Sequence, residues 1–255
     1  MASLAAHSLS GLPEVRAGDD LAALIVGALD SERPAQLLCD GQIVAIAHKV
    51  VSKAEGAVVA LAGIEPSARA NEIAGKQGKD PRAVQVVLDQ SQEVLRAANG
   101  VLICRTHHGF VCANAGVDAS NATDAEALIV LPADPDASAR SLRARLRELI
   151  GVQVGVLITD SFGRAWRHGQ CDVAIGCAGL NPLDDWRGRT DGAGLELHAT
   201  LLAIADATAA IADLARAKDS REPVVILDGL KRFVTAQDGP GASALLRPVD
   251  EDLFR

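Results

Sequence analysis

Three observations predict a mixed α/β fold for this chain. Short apolar runs of strand length recur from end to end, and amphipathic or alanine-rich stretches of helix length separate them. The runs GxGxxG, GxxxxGK(S/T) and GxSxG are all absent, so the pattern is neither Rossmann nor P-loop nor nucleophile elbow. No internal repeat is visible either, which sets solenoid architectures aside.

Leu4 to Leu9 alternates and reads as a first strand, closed by Ser10-Gly11-Leu12-Pro13. Gly18-Asp19-Asp20 marks a turn whose aspartates can cap a helix through Leu21 to Leu29. Gln42 to Ala47 reads as a strand that Val50-Val51 continue, before the polar stretch Ser52 to Gly56. Val58 to Leu61 is a further short strand, and Pro66 begins a loosely spaced helix that Gly75 to Pro81 interrupts as a turn. Residues 81 to 97 carry Val84, Val87, Leu88, Val94 and Leu95 at helical spacing behind Asp80-Pro81, so one amphipathic helix is expected there.

Val101 to Cys104 and Ala127 to Leu131 read as short buried strands. Asp134-Pro135-Asp136 opens a helix to about Ile150, whose arginines Arg140, Arg143, Arg145 and Arg147 read as a solvated face rather than an anion site. Val154 to Thr159 is a second core strand. The glycine-rich stretch from Asp160 to Gly194 reads as a long loop with short strands such as Val173 to Ile175, a length that implies a site. Glu196 to Ala217 is an alanine-rich helix and Val224 to Leu227 a last strand. Ala244-Leu245-Leu246 then packs locally in a weakly patterned tail.

With 255 residues the chain can bury a sizeable core, but only 2% are aromatic and none is tyrosine, so Ala, Val, Leu and Ile must fill it. A formal net charge of -8 and so few rings argue against nucleic acid as a partner. Cys39, Cys104, Cys112, Cys171 and Cys177 form no CxxC pair and read as reduced, mostly buried thiols. No stretch is long and apolar enough to span a bilayer, and no signal peptide is evident at the N-terminus, so the cytoplasm is the expected location and no membrane partner is expected.

Candidate chemistry gathers in two places. The stretch from Leu102 to Asn121 turns from an apolar strand into polar, glycine-marked sequence holding Asp118, Ser120 and Asn121; Thr159, Asp160 and Ser161 repeat that arrangement after the second core strand. Carboxylates at strand ends need a partner, and Asp118 and Asp160 are therefore weighed equally as ligands of a hard divalent cation and as helix caps or turn residues. Lys49 and Lys53, flanking Ser52, suit a phosphate group, with solvated loop lysines as the plainer reading. Arg164 and Arg167 invite the same comparison. His107 and His108, adjacent in sequence, point to opposite sides of an extended chain and make a poor metal pair.

Five runs carry a resemblance: GLPEV at 11–15, AHKVVSKAEG at 47–56, RTHHGFVCANAGVDASN at 105–121, LPADPDASA at 131–139 and TDSFGRAWRHGQCDVAIGCAGLNPLDDWRGRTD at 159–191. In these runs, spread over roughly three-quarters of its length, the chain resembles the coenzyme F420-0:L-glutamate ligase family (F420 gamma-glutamyl ligases). The resemblance implies an unusual two-part α/β ligase fold. The chain is then one ligase unit over residues 1–255, alternatively two intertwined subdomains, without the fused C-terminal flavin-binding domain of some bacterial relatives.

It implies addition of L-glutamate by gamma-linkage to coenzyme F420-0 through an acyl phosphate, using GTP and Mg2+ or Mn2+, with potassium as a further candidate cation, in a homodimer. By the same resemblance Asp118, Asp160 and Ser161 would hold the divalent cation. Leu12, Pro13, Glu14, Val15, His48, Lys49, Lys53 and Asn121 would contact the nucleotide. Lys53 and Arg164 would add positive charge at the transferring group, and His107 or His108 is a candidate base. Two departures stand out: Asp206 is followed by Ala207 where the family is acidic, and Ala217 precedes Lys218 where the family has glycine. They keep open a related amide ligase with another carboxylate acceptor; a non-catalytic nucleotide- or metabolite-binding protein is the alternative of another class.

Overall fold

The computed structural model describes residues 3–32, 38–119 and 126–252. The elements run β1 (Ala5–Leu9), α1 (Leu21–Glu32), β2 (Ile43–Ala47), α2 (His48–Ala54), β3 (Val58–Ala60), α3 (Ala68–Gln77), α4 (Pro81–Asp89), β4 (Ser91–Ala98) and β5 (Val101–Thr106). They continue with β6 (Val111–Ala113), β7 (Ala127–Ile129), α5 (Pro135–Ile150), β8 (Gly155–Arg164), β9 (Arg167–Ala178), β10 (Leu183–Asp185), β11 (Leu201–Ala203), α6 (Ile204–Ala215) and β12 (Val224–Asp228). The mixed α/β class is as expected, and among the described residues the sheets are open, with no closed barrel.

The main sheet has five strands in the order β1-β12-β2-β8-β9, and only β2 and β8 run parallel. Alternation along β2 explains why both faces are covered. Val44 and Ile46 join a core with α1 and α5 on one face, while Ile43 and Ala45 join a second core under α6 on the other. On that second face α6 presents Ala205, Ala209 and Ala212, all fully buried at helical spacing, so the helix lies close on the sheet. Across the sheet, α5 begins against β9. Gly176 is required there, because a Cβ would meet the Pro135 carbonyl oxygen at 2.3 Å, and the Asp136 carboxylate accepts the Cys177 N–H at 2.9 Å.

Residues 57 to 131 build around smaller sheets. Strands β4-β5-β6 pack on α3 and α4 through Ala70, Ala74, Val84, Val87, Leu102 and Cys104, and β3 pairs with β7. Several helix boundaries follow from side-chain caps: Asp20 accepts the Ala23 N–H, Asp80 the Arg82 N–H and Asp134 the Ala137 N–H.

Five expectations are corrected. Val50-Val51 do not extend β2: the chain turns into α2 at His48, because Val51 has to reach the core while His48, Ser52 and Lys53 bury polar groups beside it. The helix over 81 to 97 stops at Asp89, and β4 follows. Two bulges in β4 leave its less exposed residues at Ser91, Val94 and Ala98, three and four apart, which imitates helical spacing. The loop from Asp160 to Gly194 is largely the β8–β9 ribbon, reversed at Ala165-Trp166 with Trp166 at φ +58°. Its outer half is exposed on both faces, so it carries no apolar alternation to announce it. The helix over 196 to 217 begins only at Ile204, after β11. Arg143, read as solvated, is mostly buried and bonded to the Val154 and Thr235 carbonyls and to Asp238.

Candidate active site

A cavity of about 880 Å³ opens at the carboxyl ends of the parallel pair β2 and β8, where α/β sheets hold ligands. Three segments wall it: Leu12 to Val15 after β1, the first turns of α2, and residues 216 to 223 between α6 and β12. The β8 residues Thr159, Asp160 and Ser161 form its floor, with Asp172 of β9 beside them.

Helix α2 supplies the basic groups. Lys49 Nζ lies 2.7 Å from Asp118 Oδ2, and Lys53, 7% exposed, reaches Glu14 Oε1 at 2.5 Å. His48 is buried; its Nδ1 is 3.3 Å from Ser52 Oγ, and its Nε2 lies 3.3 Å from Asp160 Oδ1, a contact that falls short of a hydrogen bond. Consecutive residues of one helix thus touch the two aspartates singled out in the sequence. Asp118 reaches that helix from the strand side, through its bridge to Ile129 of β7.

A second network lines the α6 side. Strand alternation brings Thr159 and Ser161 to one face, and the register Ser161↔Asp172 sets the Asp172 carboxylate beside them. Asp172 Oδ1 accepts from Ser161 Oγ at 2.6 Å, and Oδ2 accepts from Thr159 Oγ1 at 2.9 Å and from the Arg216 guanidinium. Arg216 also donates to Thr159 Oγ1 at 2.6 Å and to the Pro223 carbonyl at 3.1 Å. Lys218 Nζ donates to Ser161 Oγ at 2.8 Å and to Asp213 at 2.7 Å. Burial works to raise the Asp172 carboxyl, but Arg216, the two hydroxyls and Lys218 outweigh it and hold the group below the usual carboxylate range.

A family profile described as F420-0:Gamma-glutamyl ligase matches residues 11–229. The chain belongs to this family. Coenzyme F420:L-glutamate ligase of Methanopyrus kandleri is 47% identical to it over 244 residues, 95% of this chain and 94% of the relative. The enzymes of that name from Methanothermobacter thermautotrophicus and Halobacterium salinarum are each 43% identical, over 97% and 98% of this chain and 97% and 95% of their own lengths. This F420-0:gamma-glutamyl ligase family member is therefore an enzyme of ligase type.

The fold brings Leu12, Pro13, Glu14, Val15, His48, Lys49, Lys53, Asp160 and Ser161 to the one cavity, and Asp118 to its edge through Lys49. Asn121, like Ser120 and Thr123, lies outside the described residues. Arg164 and His107 are not among the lining residues. The Arg164 guanidinium bonds the His168 carbonyl across the ribbon tip, and His107 Nε2 lies 3.0 Å from the Asp89 carbonyl oxygen at the end of α4. His108 contacts the Pro132 and Ala133 carbonyls and stacks on Phe110. Asp206 accepts the Ala174 N–H beside a bulge in β9, and Ala207 is exposed, so the first departure lies off the cavity; Ala217 lines it.

Sequence reasoning passed over Asp172 and Arg216. Asp172 becomes visible only once β8 and β9 are paired, because the pairing sets it opposite Ser161.

The donor chemistry suits a hard divalent cation: two carboxylates, Asp118 and Asp160, and the Ser161 hydroxyl are all oxygen donors. Among the described residues no cluster of three or more His, Cys, Asp or Glu is gathered for a metal. Among the described residues no helix is long and apolar enough to cross a membrane.

Proposed function

We propose that this chain adds L-glutamate by gamma-linkage to coenzyme F420-0, consuming GTP with Mg2+ or Mn2+ and acting as a homodimer. One observation carries the reading: Leu12 to Val15, His48, Lys49, Lys53, Asp160 and Ser161, which the family resemblance ties to nucleotide and cation and which are scattered in sequence, meet at a single cavity large enough for a nucleotide. The similar proteins of known name act on coenzyme F420 and L-glutamate, which supplies the substrate class.

In this reading a carboxylate oxygen of F420-0 attacks the γ-phosphorus of GTP, the bond to the bridging oxygen breaks, and GDP leaves. The amine of L-glutamate then attacks the acyl carbon, phosphate departs with its electron pair, and the nitrogen loses a proton. Lys49 and Lys53 exchange their carboxylate partners for phosphate oxygens and hold the nucleotide in line. The buried His48 and the β8 residues shape the floor on which the acceptor meets the transferred group. A cation held by Asp118, Asp160 and Ser161 would neutralise the charge that develops on the phosphate oxygens.

Mass spectrometry of the products after incubation with F420-0, L-glutamate, GTP and magnesium or manganese tests this. A gain of one or more glutamyl units that vanishes without GTP is expected. Tight GTP binding with no glutamylated product would replace F420-0 with another carboxylate acceptor.

A further inference from the structure

The Asp172–Arg216 pair has no part in the function as stated so far, although it forms a wall of the cavity. A buried ion pair is weak evidence for stability, since two desolvated charges often do no better than an apolar pair of the same size. Asp172 is 1% exposed, and its two oxygens take both hydroxyls that β8 presents on this face. Arg216 fixes the carboxylate from behind and also grips Thr159. Everything in the cluster is mounted on paired strands or just past the end of α6, not on long loops.

The consequence falls on Ser161. A serine hydroxyl has one proton and two lone pairs, and free to rotate it offers either to a ligand. Here the proton is committed to Asp172 Oδ1 at 2.6 Å, and one lone pair receives the Lys218 ammonium at 2.8 Å. The remaining lone pair belongs to the cavity, so Ser161 meets a ligand as an acceptor only. Local charge is balanced, with Arg216 and Lys218 facing Asp172 and Asp213.

We propose that Asp172 is a positioning residue that, backed by Arg216, orients the Ser161 hydroxyl so that its oxygen can ligate the divalent cation. The proposal rests on reading Ser161 as a cation ligand. Outer partners of metal ligands typically change affinity about 10- to 100-fold when removed.

The test is the Mn2+ affinity of the folded protein, measured by electron paramagnetic resonance with and without GDP, in a double-mutant cycle. Asp172→Asn and Ser161→Ala are each expected to weaken Mn2+ binding about 10- to 100-fold, and the double variant no further than the weaker single. Ser161→Ala without effect would overturn the reading of Ser161 and the proposal with it. Weakened binding in Ser161→Ala with parental affinity in Asp172→Asn, or effects that add across the cycle, would overturn the proposal alone. If Asp172→Asn does not fold because Arg216 is left unpaired, the paired variant Asp172→Asn/Arg216→Met removes both charges, and the same affinities decide.

Discussion

At its root the β8–β9 ribbon carries Thr159, Ser161 and Asp172, bonded to one another and to Arg216, with Thr159 and Asp172 buried. A few residues further along, the tip carries Arg164, Trp166, Arg167 and His168 in solvent, with Trp166 82% exposed and Arg164 bonded to backbone carbonyls of its own turn. Polar residues are dense at both ends of this one hairpin. What separates them is burial, because a charge removed from water must be held in one place, while an exposed one is free to wander. Organisation for chemistry therefore follows depth along the ribbon more closely than it follows residue type.

Asp160→Asn should affect the comparison most: glutamyl transfer is expected to fall at least about 100-fold with the melting temperature little changed. Transfer at the parental rate would detach the root from the chemistry. Arg216→Met comes next, leaving the Asp172 carboxylate buried without its guanidinium, and chemical denaturation should show a loss of about 3–5 kcal/mol. At the cavity rim, Lys53→Met should raise the KM for GTP about tenfold, a smaller effect because Lys49 and Lys218 remain. Arg164→Ala, at the tip, should leave turnover within about threefold, as exposed charges commonly do; a larger loss would mean that the tip of one chain serves the site of another.

The smallest change concerns Asp206, whose carboxyl burial pushes above its usual value. A raised folded-state value means that the group favours folding below its unfolded pKa and that this contribution is lost as pH rises through the folded one. Asp206→Asn is neutral throughout and keeps an acceptor for the Ala174 N–H. It should melt slightly above the parent near neutral pH and lose that margin toward about pH 4, readable as two thermal scans.

Much of the scaffold was legible in sequence. Strands β2 and β12 are continuous apolar runs because both faces of the sheet are covered, and α5 announces itself through the Asp134 cap and Pro135. The cavity residues were legible for another reason, namely long runs shared with a known family. The ribbon was not legible, because a two-stranded extension wetted on both faces leaves no period to read. Nor was β4, whose bulges shift its inward positions to helical intervals. Asp172 and Arg216 escaped notice together: each is one polar residue in ordinary surroundings, and what makes them a pair is a strand register and a helix end 44 residues away.

The alanines of α6 act as a spacer of fixed thickness. Ala205, Ala209 and Ala212 are fully buried against the sheet, and Arg216 leaves the end of that same helix to reach Asp172 on the strand beneath. The gap between guanidinium and carboxylate is therefore set by methyl groups in the interior. A branched residue at Ala209 would lift the helix, with an overpacking cost of about 1–3 kcal/mol, and would draw Arg216 off its partner. A substitution that touches no ligand would then read, in kinetics, as damage to the cavity wall.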